Sequence, residues 1–112
     1  MVRIGLIGMG KWGINHAATY SALSKKDVCK FTAISDSNPA VKGVAEKFGV
    51  KFFTDYKEML SEVDAVSVVV PTNLHYQVVK DCLNAGKHVL VEKPITSTSK
   101  EAKELIEIAK AK

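Results

Sequence analysis

Two hydrophobic periods alternate along the chain. Short apolar runs without polar alternation, such as residues 65–70, are typical of strands buried on both faces of a parallel sheet. Between them, apolar residues recur at helical spacing, and Val41, Val44, Ala45 and Phe48 form one such set. The pattern predicts strands over residues 2–7, 28–35, 50–53, 65–70 and 88–91, and helices over residues 12–23, 39–48, 55–61, 73–85 and 99–110.

The strict alternation of strands and helices determines the predicted fold class. Parallel strands joined by helices require right-handed crossovers and a sheet covered on both faces. We therefore expect an α/β fold with a doubly wound parallel sheet of about five strands, the Rossmann class. A length of 112 residues fits one domain, although a complete six-stranded sheet of this class would have at least one more strand.

Composition narrows the possible partners and compartments. No apolar run approaches the ~18 residues of a membrane span, so no membrane association is expected. The net charge is +4, but the lysines stand beside acids and aromatics make up only 7%, which argues against nucleic acid. Cys29 and Cys82 lie far apart without a CxxC or a histidine cluster. A zinc site or disulfide framework is therefore not expected, and a reducing, cytoplasmic location fits best.

The first candidate site is a glycine-rich loop. Residues 8–13 read Gly8-Met9-Gly10-Lys11-Trp12-Gly13, a G-x-G-x-x-G pattern between a predicted strand and a predicted helix. In that context Gly8 permits the tight turn, Gly10 allows the backbone to approach a pyrophosphate, and Gly13 allows close packing of helix on strand. The free N–H groups of the helix start favour phosphate. The alternative is a glycine-rich turn without a ligand.

Asp36 follows the second predicted strand, 23 residues after Gly13. An acid at about this distance is placed to accept hydrogen bonds from an adenosine ribose and would repel a 2′-phosphate. NAD is therefore favoured over NADP, although Lys42 or Ser37 could weaken that preference. The alternative role for Asp36 is to cap a turn.

Polar residues also follow the fourth and fifth strands. The fourth leads into Pro71-Thr72-Asn73-Leu74-His75, where Asn73 either contacts the cofactor or caps the next helix, and His75 is either structural or functional. The fifth leads into Glu92-Lys93-Pro94. Lys93 could donate a hydrogen bond to a substrate oxygen and relay a proton, and its alternative is a solvated surface position.

Position links these candidates. All four groups lie just after the carboxyl ends of strands one, two, four and five. In an open parallel sheet these ends form one edge, where ligands bind. The sequence therefore predicts one dinucleotide-binding domain over residues 1–112.

With these motifs, the chain resembles the N-terminal domain of the glucose-fructose oxidoreductase, inositol dehydrogenase and rhizopine-catabolism (Gfo/Idh/MocA) family. The most specific part is the AGKHVLVEKP segment at residues 85–94, and residues 71–75 are similar to the family's proline–histidine loop. The resemblance covers essentially the whole chain.

The resemblance implies roles for individual residues. The loop of Gly8, Met9, Gly10, Lys11, Trp12 and Gly13 would bind the pyrophosphate, and Asp36 the adenosine ribose. Pro71, Thr72, Asn73 and His75 would border the middle of the cofactor. Glu92 would contact the nicotinamide ribose, and Lys93 would be the catalytic lysine at the substrate. The reaction implied is hydride transfer between a sugar-like or polyol carbon bearing a hydroxyl and the nicotinamide of NAD.

The resemblance also implies a second domain. Family members carry a C-terminal α/β domain that supplies most of the substrate pocket, a further catalytic histidine and usually the interface of a homo-oligomer. We therefore expect this chain to be the N-terminal part of a two-domain enzyme, able to bind cofactor but inactive alone. The alternatives are a stand-alone nucleotide-binding sensor and a structural domain that pairs through its last helix.

Overall fold

The computed structural model describes residues 2–9, 13–91 and 98–111. Within them, five parallel strands form one sheet in the order β3-β2-β1-β4-β5, which confirms the predicted doubly wound fold. The strands are β1 (Arg3–Ile7), β2 (Lys30–Ser35), β3 (Lys51–Phe53), β4 (Ala65–Val68) and β5 (His88–Val91). The α-helices are α1 (Gly13–Lys25), α2 (Lys42–Phe48), α3 (Tyr56–Met59), α4 (Thr72–Asn84) and α5 (Ser99–Ala111).

Short 3₁₀ turns extend two of the helices. One turn, Pro39–Val41, leads into α2, and its N-cap Asn38 accepts a hydrogen bond from the Ala40 amide at 3.0 Å. The other, Leu60–Glu62, follows α3. Gly49 ends α2 in the left-handed region with φ of 69°, as its place after the last apolar residue predicted.

The helices cover the sheet unequally. On one face, α1 and α2 enclose a core that contains Leu6, Ala17 and Ile34. On the other face, α3, α4 and α5 enclose a second core that contains Cys82 and Leu105. The first face remains open over β5, where Leu90 is 59% exposed.

Some predicted details were wrong. Strand β4 ends at Val68 and not at residue 70, although the Val69 amide still donates to the Ile7 carbonyl at 2.8 Å. Ile14 in α1 and Ile106 in α5 are apolar residues of amphipathic helices but are about half exposed. Helical spacing identifies a face of a helix, but the tertiary packing of that helix decides how much of the face is covered.

In the described part of the chain, no helix has the length and apolar character needed to cross a membrane. This part contains no cluster of three or more histidine, cysteine, aspartate or glutamate side chains suited to a metal ion. Cys29 and Cys82 are free and buried.

Candidate functional site

A cleft of about 400 Å³ opens at the carboxyl end of the sheet. It lies beside β1, where the strand order of the sheet reverses, because β2 pairs with one side of β1 and β4 pairs with the other side. Open α/β sheets bind ligands at this switch point. Its wall comes from the ends of the first four strands and from α4, and consists of Ile7, Gly8, Met9, Ser35, Asp36, Ser37, Thr54, Asp55, Tyr56, Val69, Val70, Pro71, Leu74 and Val78.

The glycine at position 8 is required by the backbone. Its φ is +91°, a region that residues with a side chain rarely adopt. A Cβ built on Gly8 would lie 2.4 Å from the Val69 carbonyl oxygen, so the turn and β4 approach closely. The Gly8 amide donates to the Ser35 carbonyl at 2.7 Å, which ties the same turn to β2.

Gly13 begins α1 directly behind this turn. A Cβ built there would lie 3.1 Å from the Gly8 carbonyl oxygen, which is tighter than ordinary contact. A larger residue would push α1 away from the turn and from the cleft. Gly10, Lys11 and Trp12, which the sequence placed in the same loop, lie outside the described residues.

The carboxylate of Asp36 joins two loops of the cleft wall. One oxygen, Oδ2, accepts a hydrogen bond from the Met9 amide at 2.8 Å, and the other, Oδ1, accepts one from the Asn38 amide at 2.9 Å. The alternative that Asp36 caps its own turn is therefore confirmed. The same side chain lines the cleft, and its contact with a ribose stays a prediction. Each oxygen keeps a further lone pair for a ligand hydroxyl.

The start of α4 forms the opposite wall. Pro71 lines the cleft at the N-cap position, and Thr72 is the first residue of the helix. The proposed cap by Asn73 is wrong, because α4 begins one residue earlier than predicted and its N-terminus has no side-chain cap. The side chain of Asn73 is exposed.

His75 lies behind the cleft wall. Its side chain is 1% exposed, and its Nε2 lies 2.8 Å from the Val70 carbonyl oxygen. Val70 lines the cleft and His75 does not. The imidazole therefore fixes the turn between β4 and α4 from inside the protein.

Sequence reasoning missed the residues that follow β3. Thr54, Asp55 and Tyr56 line the cleft, and the same rule about strand ends would have found them if applied to the third strand. Asp55 caps α3 by accepting from the Lys57 amide at 2.9 Å. The Tyr56 hydroxyl donates to Asp81 on α4. Burial, followed by this hydrogen bond, raises the pKa of Tyr56 well above its ordinary value.

The last candidate group from the sequence follows β5. Glu92, Lys93 and Pro94 follow β5 directly but lie outside the described residues. Strand β5 itself ends at Val91, where it was predicted to end.

This geometry can be compared with known proteins. Residues 2–112 match the Gfo/Idh/MocA family profile, described as an oxidoreductase family with an NAD-binding Rossmann fold. The chain belongs to this family. The resemblance that the glycine loop and the AGKHVLVEKP segment indicated is thereby confirmed.

Three relatives illustrate the match. UDP-N-acetylglucosamine 3-dehydrogenase of Acidithiobacillus ferrooxidans is 38% identical over 109 residues, covering 96% of this chain and 33% of that protein. Its solved structure superposes with a TM-score of 0.90 at 36% identity, covering 98% of this chain and 35% of its own. The structure of scyllo-inositol dehydrogenase from Lactobacillus casei, with bound NAD(H) and scyllo-inositol, gives a TM-score of 0.88 at 30% identity. The match covers 99% of this chain and 33% of that chain.

The third relative is bound to the phosphorylated cofactor. A 3-ketoreductase from Actinomadura kijaniata, in complex with NADP and TDP-benzene, gives a TM-score of 0.88 at 32% identity, covering 98% of this chain and 34% of its own. The chain thus spans a third or less of the length of the curated relatives that it matches. Both NAD(H) and NADP occur among the solved relatives.

Proposed function

We propose that this chain is the dinucleotide-binding domain, over residues 1–112, of an oxidoreductase that transfers a hydride between a sugar-like or polyol carbon and a nicotinamide. One observation carries the proposal: the Asp36 carboxylate and the glycine turn at Gly8 line the same cleft at the switch point of the sheet. A ribose-binding acid and a pyrophosphate-binding turn are the two parts that a dinucleotide needs together.

The shape of the turn supports the fit of the pyrophosphate. Because Gly8 and Gly13 have no Cβ, the turn packs closely against the residues after β4 and α1 begins close behind it. The free amide groups at the start of α1 would then be near a phosphate bound at the turn. We assign the pyrophosphate to the loop of Gly8, Met9, Gly10, Lys11, Trp12 and Gly13. When bound, the nicotinamide supplies or accepts the hydride, and the residues of this chain hold and orient it.

The charge of Asp36 supports NAD as the preferred cofactor. Its two oxygens already accept backbone amides, which orients them toward the cleft, and they would receive the ribose hydroxyls there. A 2′-phosphate at that position would meet a negative charge. NADP is therefore the less favoured cofactor, even though a relative is complexed with it.

We assign the β4 side of the site to the middle of the cofactor. Pro71, Thr72 and Asn73 would border it directly, since they surround the start of α4 at the cleft. His75 would act through the Val70 carbonyl and not by touching the cofactor, because its side chain is buried behind the wall.

The reaction itself is assigned through family membership. Glu92 would contact the nicotinamide ribose, and Lys93 would be the catalytic residue that donates to the substrate oxygen and moves its proton. Substrate would be held by the additional two thirds of sequence that the relatives have, and we expect the full-length protein to form a homo-oligomer. None of the observations favours a stand-alone sensor, and no role in binding nucleic acid or membrane is proposed.

The same proposal includes a cytoplasmic location. Cys29 and Cys82 are free and buried in different parts of the protein, as reduced thiols in a cytoplasmic enzyme would be. Burial is also the main reason why the pKa of Cys82 is raised to about 12, so its thiol is protonated and unreactive.

Titration of the purified chain with NADH and NADPH tests the cofactor assignment. We expect saturable binding of NADH, seen by fluorescence or calorimetry, with weaker binding of NADPH. The absence of saturable binding by either would remove the proposal. In the full-length protein, Lys93→Ala should lower kcat far more than it weakens NADH binding, whereas equal losses would make Lys93 a cofactor residue.

A further inference from the structure

Helix α1 packs against the sheet with one flank covered and the other open. Its buried residue Ala17 lies in the core over β1 and β2, together with Leu6 and Ile34. Toward β5 the flank is open, and two grooves of about 250 and 280 Å³ lie there, both lined by Tyr20 and Leu90. Since α1 begins behind the glycine turn, the direction of the helix decides where its first amide groups point. A contact on the open flank can therefore affect the site at the turn.

Tyr20 reaches from α1 to both neighbours of β1. Its ring packs against the ring of Phe31 on β2, with 6.0 Å between the centroids and a tilt of 47°. Its hydroxyl is joined by a hydrogen bond to the hydroxyl of Ser67 on β4. One side chain of α1 thus connects the helix to the strands on either side of β1.

Ser67 is a fixed partner for this bond. It is 1% exposed, and its strand is paired on both sides, with β1 at Leu6 and with β5. A buried hydroxyl needs a hydrogen-bond partner, and Tyr20 provides one. The same strand leads directly into Val69 and Val70, which line the cleft. The bond therefore ties α1 to the strand that continues into the opposite wall of the cleft.

The place of Tyr20 along α1 is suited to fixing the direction of the helix. It lies seven residues after Gly13, which is two turns and about 10 Å along the axis, and near the same side of the helix. At Gly13 the helix is held close to the turn, since a Cβ there would lie 3.1 Å from the Gly8 carbonyl oxygen. Two contacts separated along a helix determine its direction, whereas the first alone would let α1 tilt toward its open flank.

We propose that Tyr20 and Ser67 are positioning residues that keep the first amide groups of α1 directed at the pyrophosphate. This inference rests on the proposed function, since it requires a pyrophosphate at the glycine turn. Neither residue lines the cleft, so both would act through the helix and not by touching the cofactor. Their bond should affect the phosphates and not the ribose, because Asp36 is held separately by the amides of Met9 and Asn38.

ADP and adenosine measure the phosphate part of the affinity, because they share the base and the ribose. Each is used as a competitor of NADH on the full 112-residue chain, and the ratio of their inhibition constants is compared between variants. We expect ADP to bind the unaltered chain roughly tenfold more tightly than adenosine does. Tyr20→Phe should weaken ADP binding about three- to fivefold and change adenosine binding less than about twofold, because only part of the attraction between helix and phosphate is lost.

Two further variants distinguish positioning from general stability. Ser67→Ala should weaken ADP binding as Tyr20→Phe does, and the double variant should lose no more than either single variant, because both changes remove the same bond. Thr19→Val is the matched control on the same helix, since the Thr19 hydroxyl donates at 3.0 Å to the Asn15 carbonyl within α1. It should leave both inhibition constants unchanged. Denaturant unfolding without ligand establishes that each variant is folded.

The outcomes distinguish this inference from the proposed function. If NADH does not bind the unaltered chain, the proposed function fails. If NADH binds, the inference is overturned when Tyr20→Phe weakens ADP and adenosine by the same factor or weakens neither. Losses that multiply in the double variant, or an equal loss of ADP binding in Thr19→Val, would also overturn it, because the effect would then not come from the shared bond.

Discussion

Two aspartates at opposite ends of the sheet each accept a hydrogen bond from a backbone amide, but they differ in whether a cation pairs with the carboxylate. At the amino end, Asp64 accepts the Arg3 amide at 2.8 Å through Oδ2, and its carboxylate also pairs with the Arg3 guanidinium at 3.0 Å. At the carboxyl end, Asp36 accepts the Met9 amide, also at 2.8 Å. Within the described residues, no cation lies within ion-pair distance of Asp36.

The difference distinguishes the structural role of Asp64 from the ligand-binding role that we propose for Asp36. Asp64 pairs its charge with the Arg3 guanidinium and accepts the Arg3 amide, so it ties β1 to the start of β4. Asp36 fixes the loop geometry equally well and leaves its charge directed to the cleft. Among the described residues this charge has no ion-pair partner, which agrees with the ligand contact that we propose for it.

The strongest test of the carboxyl end is the turn itself. Gly8→Ala should destabilise the chain by roughly 2–4 kcal/mol, because the backbone has a positive φ and the new Cβ would clash with the Val69 carbonyl. NADH binding should be lost with it. Denaturant unfolding and NADH titration measure the two effects.

Gly43→Ala provides the control for this change. Gly43 lies in α2 with no atom near the position of a new Cβ, so alanine should stabilise the chain by up to ~1 kcal/mol. If Gly8→Ala behaves like Gly43→Ala, the turn tolerates a side chain and the account of its geometry is wrong.

Replacing each of the two aspartates with alanine compares them directly. Asp36→Ala should weaken NADH binding about 10–100-fold, because it removes both the ribose acceptor and the bond that holds Met9. It should weaken NADPH binding less, since the repulsion of the 2′-phosphate disappears. Asp64→Ala should lower stability but change the NADH affinity less than twofold, because it lies at the other end of the sheet.

Two results would contradict these expectations. Equal losses of NADH affinity in both aspartate variants would show that Asp36 acts only by stabilising the fold. A loss of NADH and NADPH affinity by the same factor in Asp36→Ala would remove its part in cofactor choice.

The same comparison shows what the sequence could and could not predict. The order of elements and the clustering of Gly8 and Asp36 followed from periodicity and from the rule that parallel strands end at one edge. The backbone contacts of Asp36 did not, because they depend on the distance between its side chain and the loop that contains Met9.

Other details depended on tertiary contacts that periodicity does not contain. His75 was left as structural or functional, and its burial under Val70 follows from the packing of α4 on the sheet. Tyr56 could have been found from its place after β3, but its bond to Asp81, 25 residues further along the chain, could not be predicted from periodicity. Ile106 fitted a helical stripe, but in the described residues only part of that stripe meets the core.

A smaller effect is expected behind the cleft wall. His75→Phe keeps an aromatic ring of similar size but removes the contact between Nε2 and the Val70 carbonyl, which should cost ~1–3 kcal/mol of unfolding free energy. NADH affinity should fall only a few-fold, because the buried imidazole does not line the cleft. His88→Phe on the exposed side of β5 should change stability by less than ~0.5 kcal/mol. A loss of NADH binding in His75→Phe without any loss of stability would instead indicate direct contact.

The smallest effect concerns the amino end and depends on pH. Hydrogen bonds from Arg3, first from its side chain and then from its backbone amide, lower the pKa of Asp64 to about 2. Because the folded pKa lies below the unfolded value of ~3.9, this contribution to stability is complete above about pH 4 and is lost as pH falls through about 2. Urea unfolding of the chain and of Asp64→Asn should therefore differ at pH 5 and converge toward pH 2. Added salt should reduce the difference at pH 5, since both side chains are substantially exposed. A difference that is constant across this range would show that the ionised carboxylate contributes nothing beyond its hydrogen bonds.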